Sequence, residues 1–198
     1  MEITSAISAV LGAFGLSGAA GLNAWLPLLA VGAADRFGWI ELGPSYGWLS
    51  STPALIVLAV IFVLDLIGDK IPALDSVLHA IGTFIAPASG AILFTAETSL
   101  SSNLPPAVAA ILGAITAGSV HASRTVARPF VTGTTAGVGN PVVSTAEDGT
   151  SLVLTILALA LPLVAFIVVL VLLVGLAWLA YRAIRWARGR GRTAAPES

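Results

Sequence analysis

Apolar residues run almost unbroken through this chain, and its polar residues collect where the runs end. Ser151 to Tyr181 contains no charged residue at all. A hydrocarbon core of about 30 Å is crossed by about 20 apolar residues in a helix. The pattern predicts five such stretches: Ile3 to Ala34, Pro53 to Ile67, Ala73 to Thr95, Ala107 to Val120, and Ser151 to Tyr181. The expected fold is an all-α polytopic transmembrane bundle of about five spans with broken or kinked helices, and the N-terminus outside. The last run exceeds one perpendicular span, and division at Pro162 gives six and reverses that end.

The first stretch is internally soft. Gly12, Gly15, Gly18 and Gly21 recur every third residue, with Asn23 and Pro27 following. Small residues let helix backbones approach closely in lipid, so one reading is a packing stripe. The other is a helix broken at Gly21-Leu22-Asn23, its freed backbone groups lining a polar cavity, since unwound backbone at membrane depth needs protein or water around it. Asp35 to Thr52 reads as a polar connection with Trp39, Tyr46 and Trp48 as interfacial anchors. Hydrophobicity falls from His121 to Gly149, which reads as a loop or a re-entrant element. Glu147-Asp148 then precede the last run, where a helix N-terminus favours acids. The triplets Leu11-Gly12-Ala13 and Leu112-Gly113-Ala114 hint at an internal repeat, of the inverted kind common in transporters.

Composition settles the solvent. The chain is 57% hydrophobic and 10% charged, with a mean hydropathy of +0.98. Soluble domains carry about 25% charged residues, so no water-facing surface can be built here. The 198 residues allow one bundle, assigned to 1–186, with 187–198 as a basic, disordered cytoplasmic tail. The net charge of −1 hides an asymmetry, because Arg182, Arg185, Arg188, Arg190 and Arg192 are five of the nine basic residues. Basic excess marks the cytoplasmic side. The chain is therefore expected to be multi-pass in the cell inner (plasma) membrane with its C-terminus inside. The tail reads as a topology anchor against anionic lipid and not as a nucleic-acid site. Glu2 stands where a signal peptide has positive charge, so the first stretch is read as a retained span. With no cysteine, thiol catalysis, disulfides and thiolate metal sites are excluded.

Ionisable groups in or beside membrane spans are costly and are functional candidates by default. Asp65 and Asp69 stand four apart and share a helix face, and Asp75 and His79 repeat that spacing across the Lys70-Ile71-Pro72 turn. Together they suit a divalent cation or a proton relay. The alternative is that Asp65 or Asp69 pairs with Lys70, Arg124 or Arg128 to hold helices in register, with Asp75 as an N-cap-like residue after Pro72. His121, Arg124 and Arg128 fall on one helix face. That stripe suits an anionic substrate or pairing with the acids of the second and third stretches. The residues do not decide whether a metal binds. No nucleophile elbow, phosphate loop or metalloprotease helix is present, so the sequence points away from an enzyme and names no cofactor.

Three motifs carry a family resemblance. They are Gly21-Leu22-Asn23-Ala24-Trp25-Leu26-Pro27-Leu28-Leu29-Ala30; Asp69-Lys70-Ile71-Pro72 with Asp75, Thr83-Phe84, Pro87 and Gly90; and Asn140-Pro141 with Ser144 and Glu147-Asp148. In this order they resemble an uncharacterised family of small bacterial integral membrane proteins, known as a domain of unknown function. His79 stands where that pattern has an acid. The resemblance implies a membrane bundle without a known activity, and a polar set of Asn23, Asp69, Lys70, Asp75, Asn140, Glu147 and Asp148.

Two functions fit. One is a small transporter or channel for an ion or small solute, with the polar set lining a path through the bundle. The other is a non-transporting membrane component that binds lipid or a partner protein, its charges acting as internal struts. The expected partners are the lipid bilayer, an ion or solute, and further copies of the chain.

Overall fold

In the computed structural model, residues 2–68, 72–135 and 138–192 are described. They form α1 (Glu2–Leu22), α2 (Trp25–Arg36), a 3-10 segment (Pro44–Ser50), α3 (Thr52–Gly68), α4 (Pro72–Thr98), α5 (Pro106–Thr135), α6 (Asn140–Ala160) and α7 (Pro162–Arg192), with no strand among the described residues. Prolines punctuate the chain. Pro27, Pro53, Pro72, Pro106, Pro141 and Pro162 all lie within the first three positions of α2 to α7. There the missing N–H has no helical partner to lose and the fixed φ suits the helix. Pro87 and Pro129 lie inside α4 and α5.

Five helices are long and apolar enough to cross a membrane: Ile3–Leu22, Ala80–Thr98, Pro106–Thr135, Asn140–Ala160 and Pro162–Leu179. A sixth span arises if the 3-10 segment and α3, bent by 57°, count as one. This is the helical bundle expected, and three details follow. The first stretch is two helices, broken at Asn23-Ala24. The last run is also two, because Pro162 cannot continue the hydrogen-bond ladder of α6. The described residues from His121 to Gly149 are helical apart from a turn at Val138-Gly139, so their polar side chains mark helix faces.

The glycine stripe of α1 is the axis of the bundle. A Cβ on Gly15 would lie 2.8 Å from the Cβ atoms of both Ala158 and Ala165, and one on Gly18 would lie 2.5 Å from Val169. One on Gly21 would meet Val120 at 2.5 Å and the Ala117 carbonyl at 2.6 Å. Only glycine allows α5, α6 and α7 this close. Both sequence readings of the stripe therefore hold, since the packed glycines lead directly into the helix break.

These contacts also fix direction. Along α1, Gly15 meets Ala165 and Gly18 meets Val169, so α7 runs parallel to it. Gly12 meets Ala158, and Ala19 accepts from Ser151 Oγ at 2.9 Å, so α6 runs antiparallel. The start of α1 and the end of α7 consequently lie at opposite ends of the bundle. α5 runs parallel to α1, since Ala13 clusters with Ala109 and Gly21 meets Ala117. An inverted repeat would reverse one of the two Leu-Gly-Ala triplets; here both run the same way. After the break, the chain returns toward the other end, where Gly43 sits against Ser99 of α4.

The bundle is apolar outside and partly polar inside. Ser17, Ser151 and Thr155 are fully buried, while Val171 and Val174 are 66% and 70% exposed. Ser17 Oγ donates to the Gly90 carbonyl at 3.1 Å, an interhelical bond of the kind that joins helices in lipid.

Candidate functional site

The site begins with the broken first stretch. The backbone N–H of Asn23 donates to Ala19 and closes α1, while its side-chain Oδ1 accepts from the N–H groups of Trp25 and Leu26, each at 3.0 Å, and opens α2. Leu26 would otherwise donate to the Leu22 carbonyl four residues back. Arg124 of α5 takes that released carbonyl through Nη1. A break at membrane depth leaves backbone groups that must find partners; here one amide and one guanidinium supply them.

Capping by Oδ1 fixes which way the amide points. Its Nδ2 donates to Asp148 Oδ1 of α6 at 2.8 Å and to Asp65 Oδ2 of α3 at 3.2 Å. Both amide donors are used, and the oxygen accepts twice, so the side chain is saturated. Asn23 is 4% exposed. One buried amide thus joins the first helix pair to two carboxylates from distant parts of the chain.

Asn23, Asp65, Asp148, His121 and Arg124 line a cavity of about 280 Å³ whose remaining wall is largely apolar, including Trp25, Ile61 and Ile85. The imidazole of His121 rests on Gly82 of α4, where a Cβ would lie 2.7 Å from its Cε1. Beside the cavity, Glu147 Oε2 accepts from Arg124 Nη1 at 3.2 Å and from Arg128 Nη2 at 2.9 Å. All three side chains are nearly buried.

Arg124 and Arg128 of the basic stripe thus pair with an acid of α6; Asp69 and Asp75, the acids of the second and third stretches, fall outside the described side chains. Glu147 and Asp148 are not at a helix N-terminus. α6 begins at Asn140, placing them two turns inside the helix with their side chains toward α1 and α5. Asn140 itself accepts from Thr132 Oγ1 at 3.0 Å at the α5–α6 turn, about 12 Å along α6 from Asp148. Asp69 and Lys70 lie outside the described residues, as do the side chains of Asp75 and His79. A convergence of Asp65, Asp69, Asp75 and His79 across the Lys70-Ile71-Pro72 turn falls there too. Among the described residues, no group of three or more His, Asp or Glu is placed to hold a metal ion.

Sequence reasoning missed Gly82, which makes room for the imidazole, and Glu97, a carboxylate inside α4 that carries no recognisable spacing. It also missed the i, i+3, i+7 row Asp148, Ser151 and Thr155 on the buried face of α6. That row was legible as a polar stripe in an apolar run.

The motif at the break, Gly21 to Ala30, and the Glu147-Asp148 pair fall in the region matched by a family model described as Domain of unknown function (DUF4126), which covers residues 10–182. The chain belongs to this family. Of the polar residues that the family resemblance highlights, Asn23 and Asp148 meet at the cavity, and Glu147 locks the arginines beside it. No curated protein matches the chain, and no solved structure does.

Proposed function

We propose that this protein moves a small cation or protonated solute across the membrane, with the cavity at the α1–α2 break as its binding site. One observation carries the reading: carboxylates from α3 and α6 converge on the Asn23 amide at the wall of an intramembrane cavity. Intramembrane carboxylates facing a cavity are the usual mark of an ion or proton pathway. Discontinuous helices at such a site are common in secondary transporters. His121 adds an imidazole, able to donate or accept a hydrogen bond, to the same wall.

The test uses purified protein in liposomes, assayed for flux across a panel of monovalent cations and protonated amines. Asp65→Asn and Asp148→Asn are nearly isosteric and keep the packing. Flux lost in both variants, with wild-type melting behaviour, supports the pathway. Flux preserved in both overturns it.

The Glu147 pairs support the second reading, an internal strut in a component that binds lipid or a partner protein. Under that reading, no member of the panel is carried by the wild type, and Asp65→Asn and Asp148→Asn lower stability.

A further inference from the structure

Glu97 lies in the last turn of α4, inside a candidate span and apart from the cavity. Its side chain covers Gly12 of α1. A Cβ built on Gly12 would lie 3.2 Å from Glu97 Oε1 and 3.1 Å from the backbone oxygen of Ala158 on α6. That carbonyl has lost its helical donor, because the residue four positions on is Pro162, which has no N–H. Two oxygens that can only accept thus face one gap, and glycine keeps it open.

No donor among the described residues fills it. The nearby hydroxyls of Thr95 and Thr98 donate to carbonyls of their own helix, at Ala91, Ile92 and Phe94. Among the described residues, no charged or titratable group faces Glu97 from the packed helices. From α1 it meets Gly12, whose other close neighbour is the Ala158 carbonyl of α6. The adjoining α5 surface, at Ala109 and Gly113, is apolar. His121, Arg124 and Arg128 of α5 belong to the other end of the bundle, since Gly82, against which His121 rests, is about 22 Å back along α4. Glu147 and Asp148 are about 15 Å back along α6, and the first α7 arginine is Arg182.

Glu97 is half-buried, and acceptors at membrane depth need partners in protein or water. A metal ion such as calcium takes six or more oxygen ligands, and this gap offers two. A proton needs one oxygen to hold it and one to receive the hydrogen bond. We infer that Glu97 is an intramembrane proton-binding site, its protonated carboxyl donating across Gly12 to the carbonyl of Ala158. The step is a plain acid–base equilibrium: the carboxylate takes up one proton from water, the O–H bond forms, and release reverses it. If the cavity carries a solute, this site supplies the coupling proton, a use that rests on the transport reading above.

Infrared difference spectroscopy of the protein in lipid bilayers, across a pH titration, tests the binding itself without reference to transport. The wild type should show a protonated-carboxyl band that disappears as pH rises. Glu97→Gln, the nearest neutral mimic of the protonated acid, should lack that band, whereas Asp65→Asn and Asp148→Asn should keep it. Glu97→Asp should shift the band, which covers the case in which the glutamine variant fails to fold. Gly12→Ala, which fills the gap, should shift it as well. A band that persists unchanged in Glu97→Gln, or no titrating band in the wild type, overturns the proposal.

Coupling has its own readout. In liposomes, Glu97→Gln should abolish uptake driven by a proton gradient and leave solute exchange intact. Gradient-driven uptake preserved in Glu97→Gln rejects coupling and leaves the infrared result standing. Flux unaffected by Asp65→Asn and Asp148→Asn rejects the cavity as the path and leaves the proton site standing.

Discussion

Arg124 of α5 donates to the carbonyl of Leu22, the last residue of α1. The bond stands where a backbone N–H would be in an unbroken helix, and the same guanidinium holds Glu147 at 3.2 Å. Helix break and ion pair are therefore one construction. Anything that loosens Glu147 also loosens the end of α1 and the wall of the cavity.

Glu147→Gln should accordingly be among the more damaging single changes. It removes the carboxylate that Arg124 and Arg128 share, and breaking a buried pair costs roughly 3–5 kcal/mol. Thermal unfolding in detergent should show a large fall in melting temperature. A melting curve like the wild type's contradicts the strut.

Replacing Asn23 by alanine removes the acceptor for Trp25 and Leu26 and the donor to Asp65 and Asp148. Loss of a helix cap alone costs about 1 kcal/mol, and two carboxylates lose a shared partner besides. The variant should be less stable than one carrying the cap loss alone. Unchanged melting would mean that the break does not depend on the amide.

The glycine stripe gives a paired comparison. Alanine at Gly21 would meet the Ala117 carbonyl at 2.6 Å, and a backbone atom cannot swing aside. Overpacking of this kind costs about 1–3 kcal/mol. Alanine at Gly175 has nothing within 4 Å, so it should be neutral or gain up to about 1 kcal/mol from helix propensity. Equal effects at the two positions, read by thermal melting, would count against the close α1–α5 contact.

Orientation is open to a reporter test. α1 and α7 run parallel, so tags at the two termini should report opposite sides of the membrane. The arginines of α7 put the C-terminal tag in the cytoplasm. Tags on the same side would contradict the bundle, and a C-terminal tag outside would contradict only the charge argument. Replacing all five arginines should weaken the bias.

The sequence by itself determined the solvent, the helical class and most helix starts. Hydrophobic length and the shortage of charge are local properties, and proline at a helix N-terminus acts through its own φ and missing N–H. Even the break could be read, because Gly21-Leu22-Asn23 places a capping amide directly after a soft glycine run. Which acid meets which base was decided only by the tertiary structure. Spacing put Arg124 and Arg128 on one face, but Glu147 as their partner depends on α6 running antiparallel to α1. The fall in hydrophobicity after His121 misled for the same reason, since average polarity does not distinguish a loop from a helix with a buried polar face. Glu97 is the extreme case. Nothing near it in sequence marks it out. Its significance comes from Gly12 and from a carbonyl that Pro162 leaves open, and only packing brings those three positions, scattered along the chain, to one point.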